Sequence, residues 1–313
     1  MKKIHNSIIM VLFLLTFASL LNKIISGISV TDLMKNYLQS RDQIFHLEKK
    51  YHLGSNIQLS GNELKANNYL MAYKLRELDE AMLSGDFGPA KSFYLSKPDI
   101  ENTKVFGFIK KMPKGAALHT HHISLGSINW IITNLTYWDN LFMRYDNTFD
   151  TLEFAWFQKP PGVISGTNLI LLGNLEKYLY KELIDILSED STKWQNINEA
   201  RRIFGRKPVD KFLTRYLSCG IDTIKVQDIN INKIWQTFKK SVIAIHGIIF
   251  YLPAFNAYIY NALEEMLADN VQHVQIRTSL PTICTRMKDM GCEPLSKYEA
   301  AKAYLEVSDG PKL

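Results

Sequence analysis

Cysteine is scarce in this sequence, with three positions, Cys219, Cys284 and Cys292, among 313 residues. Disulfide-dependent secreted domains are small and much richer in cysteine, so the composition excludes a disulfide scaffold. One disulfide and one free thiol is the simplest arrangement, and the sequence leaves the pairing open.

Internal repeats and low-complexity tracts are also absent. The contents of 46% hydrophobic and 22% charged residues are ordinary for a globular protein with a sizeable core. The formal net charge of +6 comes from scattered basic pairs, such as Lys110-Lys111 and Arg201-Arg202. Scattered pairs favour solvated surfaces, so we predict no nucleic-acid partner.

A long apolar run occurs at the N-terminus, from Ile8 to Leu21, after the basic start Met1-Lys2-Lys3. Small residues follow at Ser26 and Gly27. This order is typical of a secretory signal peptide, here residues 1–27, and predicts a secreted, extracellular product with no membrane span after cleavage. A signal anchor is the alternative, although the run is shorter than the roughly 18 residues that span a bilayer.

Residues 28–110 are predicted to form an N-terminal helical domain. Apolar residues recur at helical spacing, with charged residues between them, and Ser84-Gly85-Asp86 ends the second helix. The apolar stripes of these helices must be buried against a second protein surface or as a cap on the same subunit, and both alternatives stay open.

Residues 111–135 contain the segment Lys111 to His121, in which a Pro-Lys-Gly turn and a short apolar run precede two histidines. This pattern predicts the exposed end of a buried β-strand. Side chains at i and i+2 of a strand share a face, so His119 and His121 can converge on one metal ion while Thr120 points away. Exposed histidines without a ligand are the simpler alternative.

The remaining chain divides at about residue 228. Residues 136–228 lack clean alternation of strands and helices, whereas residues 229–313 predict a helix around Ile243, a second helix from Tyr258 to Ala268, and a strand at Val274 to Arg277. His246 and His273 lie in these elements and are predicted to be structural.

Asn134-Leu135-Thr136 is an N-glycosylation sequon, so Asn134 is predicted to lie on the surface and carry a glycan.

The sequence around the histidines resembles the first conserved motif of the adenosine deaminase family. Met112-Pro113-Lys114-Gly115 before His119-x-His121, together with Asn129-Trp130 and Asn134 to Tyr137, is similar to its secreted branch, the adenosine deaminase growth factors and adenosine deaminase 2. The resemblance implies an α/β fold: the N-terminal part of a (β/α)8 TIM-type barrel, about two strand-helix units, with an insertion after the first strand. It also implies that the helical domain forms a homodimer and that the insertion binds a cell-surface receptor; a glycosaminoglycan is the alternative partner of the chain.

The resemblance implies a zinc cofactor, one ion, with His119 and His121 among its ligands. The zinc-bound hydroxide would attack C6 of adenosine, giving inosine and ammonia. Trp235 resembles the tryptophan over the nucleoside, and a core or helix-start aromatic is its alternative interpretation. His122 stands where relatives place an aspartate that contacts the ribose. The Cys-x-x-Cys ligand pair of cytidine-type deaminases does not occur here.

The later family motifs do not occur in this sequence: the third histidine ligand, the His-Ala-Gly-Glu phrase with its catalytic glutamate, and the Asp-Asp pair. Residues 278–313 hold no histidine at all. We therefore predict that the 313-residue chain is inactive alone and contains no catalytic residue. The alternatives are a non-catalytic secreted dimerising or receptor-binding protein, and an incomplete gene model of an active enzyme.

Overall fold

The computed structural model describes residues 10, 14–19, 30–148, 150–160, 162, 183–184, 187, 190, 192–219, 230–288 and 291–308. Within these ranges, side chains are described except at 30, 286–288, 291–292 and 308. The predicted cleavage position near Gly27 and the central part of the 136–228 segment lie outside the described residues.

The fold is mixed α/β. Ten α-helices are described, with these bounds: α1 Val30–Tyr51, α2 Gly61–Ser84, α3 Phe93–Glu101, α4 Lys104–Ile109, α5 Ile128–Thr133, α6 Ile197–Phe204, α7 Arg206–Leu217, α8 Ile231–Ile249, α9 Leu252–Ala268 and α10 Lys297–Ser308. Seven described strands accompany them: β1 Ala116–His121, β2 Leu141–Asp146, β3 Thr151–Trp156, β4 Gln195–Asn196, β5 His273–Arg277, β6 Cys284–Lys288 and β7 Gly291–Pro294.

The chain divides into two compact units, residues 1–69 and 70–313. In the first unit, every described side chain of α1 is exposed, including the large apolar ones. α2 begins with a capping box, in which the Ser60 backbone N–H donates to the Glu63 carboxylate at 2.6 Å. It ends at Ser84 because Gly85 adopts a left-handed conformation, with φ of 69°. The region contains helices, as the spacing predicts, and its assignment as one domain of residues 28–110 stays a prediction.

The seven strands form three separate sheets. β1 and β5 pair in parallel, β3-β2-β4 is antiparallel, and β6-β7 is a hairpin. The predicted strand at Val274 to Arg277 is confirmed and begins one residue earlier, at His273. A parallel pair with helices between its strands is consistent with part of a TIM-type fold. The barrel itself stays a prediction.

The described part of the 136–228 segment contains regular structure that the sequence pattern did not predict. β2 pairs with β3 from Leu141↔Trp156 to Asp146↔Thr151, and α8 packs on β3. Gly247 of α8 permits this contact, because a Cβ there would lie 1.8 Å from the Phe154 carbonyl oxygen. The insertion and the helix that follows it therefore share one hydrophobic core.

α9 begins six residues before the predicted helix start at Tyr258. Pro253 occupies the first turn of this helix, where proline needs no hydrogen-bond donor and fits the backbone. The helix buries Phe255, Tyr258 and Ile259 in the core. The predicted end at Ala268 is confirmed.

Among the cysteines, Cys284 is disulfide-bonded and Cys219 is free. Both agree with one pair and one free thiol. The side chain of Cys292 lies outside the described residues. None of the described helices combines the length and apolar character needed to cross a membrane.

Candidate active-site strand

The two histidines of β1 lie next to each other on the strand, as predicted. Their ring centroids are 5.2 Å apart, and both side chains are exposed. Thr120 between them points elsewhere and donates its hydroxyl to the Gln275 carbonyl of β5 at 2.8 Å. The alternation of side chains along the strand therefore brings His119 and His121 together on one face.

The prediction of a buried strand is wrong. Ala117 and Thr120 of β1 are half-buried, and the other four residues of the strand are exposed. Among the described strands, β5 is the single neighbour of β1, so the other edge of β1 and much of both faces remain uncovered. The register also shifts between Ala117 and Thr120. The histidine pair thus stands on an open two-stranded ribbon.

The loop after β1 is held by α9. The backbone N–H of Gly126 donates to the Tyr258 hydroxyl at 2.9 Å. The backbone N–H and hydroxyl of Ser127 donate to the Glu265 carboxylate at 3.0 and 2.8 Å. Burial is the main reason that the pKa of Tyr258 rises to about 12, so its hydroxyl stays protonated. These two α9 residues fix where the chain turns beyond the histidine pair, and helical periodicity was the single sequence pattern that pointed to them.

His122 differs from its two neighbours because it is buried. It begins a short 3₁₀ turn, His122–Ser124, and its ring packs on Phe250 and Tyr304 at centroid distances of 5.5 and 6.5 Å. Its Nδ1 lies 3.4 Å from the Arg277 carbonyl oxygen, which assigns the proton to Nδ1. Nε2 is buried and has no hydrogen-bond partner among the described residues. Burial lowers the pKa of His122, which keeps the ring neutral.

Trp235 lies in α8 and is exposed, with its ring stacked on Phe238 at 5.3 Å and 25°. An exposed aromatic face of this kind can stack on a planar ligand. Of the four residues assigned to metal or nucleoside binding, His119, His121 and His122 lie within four chain positions at the end of β1, whereas Trp235 lies in α8. Trp235 has an aromatic neighbour of its own.

His246 and His273, the other two histidines considered in the sequence analysis, are exposed. His246 contacts Phe250 edge-on at 4.5 Å, and burial of part of its ring lowers its pKa. His273 begins β5 opposite Ala116. Across the described residues, no group of three or more His, Cys, Asp or Glu side chains is arranged to hold a metal ion. His119 and His121 therefore stay a predicted metal pair, without a third ligand grouped with them among the described residues.

Comparison with known proteins shows similarity to adenosine deaminases. Residues 15–109 match the family model described as Adenosine/AMP deaminase N-terminal. Over 271 residues the chain is 28% identical to adenosine deaminase 2 of Homo sapiens, covering 86% of this chain and 47% of that protein. It is 27% identical to adenosine deaminase of Phlebotomus duboscqi over 277 residues, covering 88% and 48%. Over 256 residues it is 23% identical to adenosine deaminase 2 of Dictyostelium discoideum, covering 80% and 41%. The chain spans about half the length of the curated relatives it matches.

Proposed function

Since the chain belongs to the adenosine deaminase family, in the adenosine deaminase 2 branch, we propose that it carries the metal-binding strand of a secreted, zinc-dependent adenosine deaminase. The reaction would convert adenosine and water to inosine and ammonia. The observation that supports this most directly is the pair of exposed imidazoles, 5.2 Å apart, at the end of a strand paired in parallel with β5.

The histidine pair fits part of a zinc site. Neutral imidazole is a common zinc ligand, and two side chains on one strand face can approach one ion. A catalytic zinc normally has three protein ligands plus water, and His122 does not lie with His119 and His121 on the exposed face of β1, because its ring packs against Phe250 and Tyr304. We assign no reaction step to a metal held by His119 and His121 alone.

Two further residues are proposed to meet the nucleoside. The exposed ring of Trp235 would stack on the purine base. Nε2 of His122 is an unprotonated acceptor in the assigned tautomer, so it would accept a hydrogen bond from a ribose hydroxyl. Access to His122 requires movement of the aromatic residues that cover it.

We propose that the 313 residues by themselves do not turn over adenosine. A general acid or base typically contributes a factor of about 10² to 10⁴ in rate, and the sequence lacks the family's glutamate for that role. Purified chain should show no conversion of adenosine above a control carrying His119→Ala and His121→Ala. Zinc-dependent turnover that the double change abolishes would refute this proposal.

Metal content gives a readout that is independent of turnover. After dialysis against zinc, the wild-type chain should retain more zinc than the double variant. His246→Ala is the matched control, because this histidine lies on α8 and not on β1. Equal zinc content in the wild-type chain and in the double variant would show that His119 and His121 of β1 do not bind the metal.

The non-catalytic alternative is supported by the first unit. Leu33, Tyr37 and Ile44 lie on one face of α1 and are 54%, 61% and 64% exposed. Apolar side chains in such a row are usually covered by a partner, and we propose a second copy of this chain. Sedimentation should show a dimer that Leu33→Glu weakens. Gln39→Glu, of equal charge change on another face of α1, should leave it intact. A soluble wild-type monomer would favour the capping alternative.

A cell-surface partner is proposed for the insertion. Lys207, Lys211 and Arg215 are exposed and lie four residues apart on α7, so their charges align along one face. This row suits a sulfated glycosaminoglycan. Lys207→Glu with Lys211→Glu should lower the salt concentration that elutes the protein from a heparin column. Lys65→Glu with Lys74→Glu is the control of equal charge, and equal elution of the two variants would exclude the α7 row.

The proposed compartment is extracellular, with the mature chain beginning near Ile28. Expression in a secretory host followed by mass spectrometry of the medium should find this N-terminus and a glycan at Asn134. A membrane-bound product with intact Met1 would show that the N-terminal run acts as an anchor.

A further inference from the structure

The N-glycosylation sequon has one accessible half and one buried half. Asn134 follows α5, is exposed, and donates from its side-chain nitrogen to the Trp130 carbonyl and the Thr133 hydroxyl, both at 3.1 Å. Thr136, the hydroxyl residue of the same sequon, is fully buried. Asn-x-Ser/Thr acceptors require the hydroxyl as well as the asparagine. The two halves therefore differ in accessibility once the chain has folded.

The Thr136 hydroxyl is occupied on both sides. It donates to the Ile132 carbonyl at 2.6 Å and accepts from Nη2 of Arg201 at 2.5 Å. The Thr136 carbonyl accepts from Nη1 of the same arginine, also at 2.5 Å. To meet a transferase, Thr136 would have to break the bonds to Ile132 and Arg201 while leaving polar atoms unpaired, which is costly in a buried place.

Arg201 is itself held firmly. Its side chain is 4% exposed, and its Nε and Nη2 donate to one Asp210 carboxylate oxygen at 2.9 and 2.7 Å. Its guanidinium carbon lies 3.6 Å from the centroid of the Tyr137 ring, and the Tyr137 hydroxyl donates to the other Asp210 oxygen at 2.7 Å. Arg201 is buried and the Asp210 side chain is 25% exposed, so separating the pair would leave the buried arginine charge without its carboxylate partner.

We propose that Asn134 accepts a glycan only before α6 and α7 dock, and that the Arg201 network then closes over the sequon for the life of the protein. The donor is a lipid-pyrophosphate-linked oligosaccharide. The Asn134 amide nitrogen bonds to the sugar C1, the C1–O bond to the pyrophosphate breaks, and the amide loses one proton. The remaining N–H keeps one of its two present hydrogen bonds.

The order of synthesis leaves a time interval in which Asn134 can be glycosylated before Arg201 exists. Arg201 follows Thr136 by 65 residues, and at synthesis rates of about 5–20 residues per second this corresponds to roughly 3 to 13 seconds. During that time the sequon has no arginine to bury it. The inference uses the secretory compartment of the proposed function, but the inaccessibility of the folded sequon does not depend on it.

The test uses purified chain made without glycan, incubated with oligosaccharyl transferase and lipid-linked oligosaccharide. The chain carries Gln58→Thr, which creates a second sequon at Asn56 in the exposed loop between α1 and α2. Mass spectrometry then reads both sites in the same molecules. In the folded protein, Asn56 should be modified and Asn134 should be modified at least tenfold less. In the urea-unfolded and diluted chain, or in a peptide spanning Trp130 to Asp139, Asn134 should be modified as readily as Asn56.

Two outcomes would overturn the inference. Equal modification of Asn134 and Asn56 in the folded protein would show that the Arg201 network does not protect the sequon. Failure of Asn134 in the unfolded chain or peptide would show that the sequon is intrinsically poor, so folding would not be the cause. Neither result depends on secretion, which the N-terminus of the secreted product tests separately.

Discussion

Replacing Gly247 with alanine is expected to destabilise the second unit, because the added Cβ would collide with the backbone of Phe154. The added Cβ would lie 1.8 Å from the Phe154 carbonyl oxygen and 2.7 Å from its carbonyl carbon, whereas real Cβ contacts stay above 3.0 Å. Helix α8 must therefore retreat from β3 by about 1.2 Å, the difference between 3.0 and 1.8 Å. The obstructing atoms belong to a backbone, so no side chain can rotate out of the way.

The magnitude follows from two opposing terms. Overpacking a core typically costs about 1–3 kcal/mol, and more when backbones must separate. Alanine in a helix gains up to about 1 kcal/mol over glycine. Retreat of α8 would also stretch the hydrogen bond from the Trp156 indole to the Ile248 carbonyl, now 2.8 Å. We expect a net loss of about 2 kcal/mol or more in the free energy of unfolding.

Urea unfolding followed by tryptophan fluorescence measures this loss, with Gly107→Ala as the matched control. Gly107 lies in α4 with nothing near its virtual Cβ, so this variant should be neutral or slightly more stable. A Gly247→Ala protein as stable as Gly107→Ala would refute the reasoning and show that α8 does not approach β3 so closely.

Three further changes test other contacts. Arg201→Lys should destabilise by about 1–3 kcal/mol in urea unfolding, because lysine keeps the charge but loses the paired donors to Asp210 and the bonds to Thr136; an unchanged midpoint would contradict this. Tyr258→Phe should cost about 1–3 kcal/mol by leaving the Gly126 N–H without its acceptor, and wild-type stability would mean that water replaces the hydroxyl. The capping bonds lower the pKa of Glu299, so the stability it contributes is present above its ordinary pKa and is lost as pH falls through the lowered value. Helical circular dichroism between pH 7 and 3 should therefore depend less on pH in Glu299→Gln, and identical profiles would rule out the capping role.

Local patterns predicted the elements that depend on neighbouring residues. Helical spacing gave α1, α2 and α8, and the alternation at Val274 to Arg277 gave β5. The histidine pair was predicted from the two-residue repeat of a strand, which needs no tertiary information. Helix boundaries were predicted less accurately where a single residue sets the end of the helix. At the start of α9, Pro253 lies in the first turn, and the helix begins earlier than predicted.

Features created by distant residues were missed. The antiparallel sheet of the insertion depends on cross-strand packing and on the proximity that Gly247 allows. The exposure of β1 reflects the number of neighbouring strands, which no local pattern encodes. Burial of Thr136 depends on its hydrogen bonds to Arg201. Sequence periodicity can place Arg201 in a helix, but it cannot show that this arginine bonds to a residue 65 positions earlier.

The pairing of β1 with β5 joins residues 155 positions apart, as in the bond from Thr120 to Gln275. Closing so long a loop costs conformational entropy, and each doubling of loop length adds about 0.6 kcal/mol. β2 and β3, by contrast, pair residues such as Arg144 and Glu153, only 9 apart. The ribbon that carries the histidines is therefore expected to assemble after the insertion has collapsed and shortened the effective loop. The insertion would then act as a folding spacer that brings two remote strands within reach.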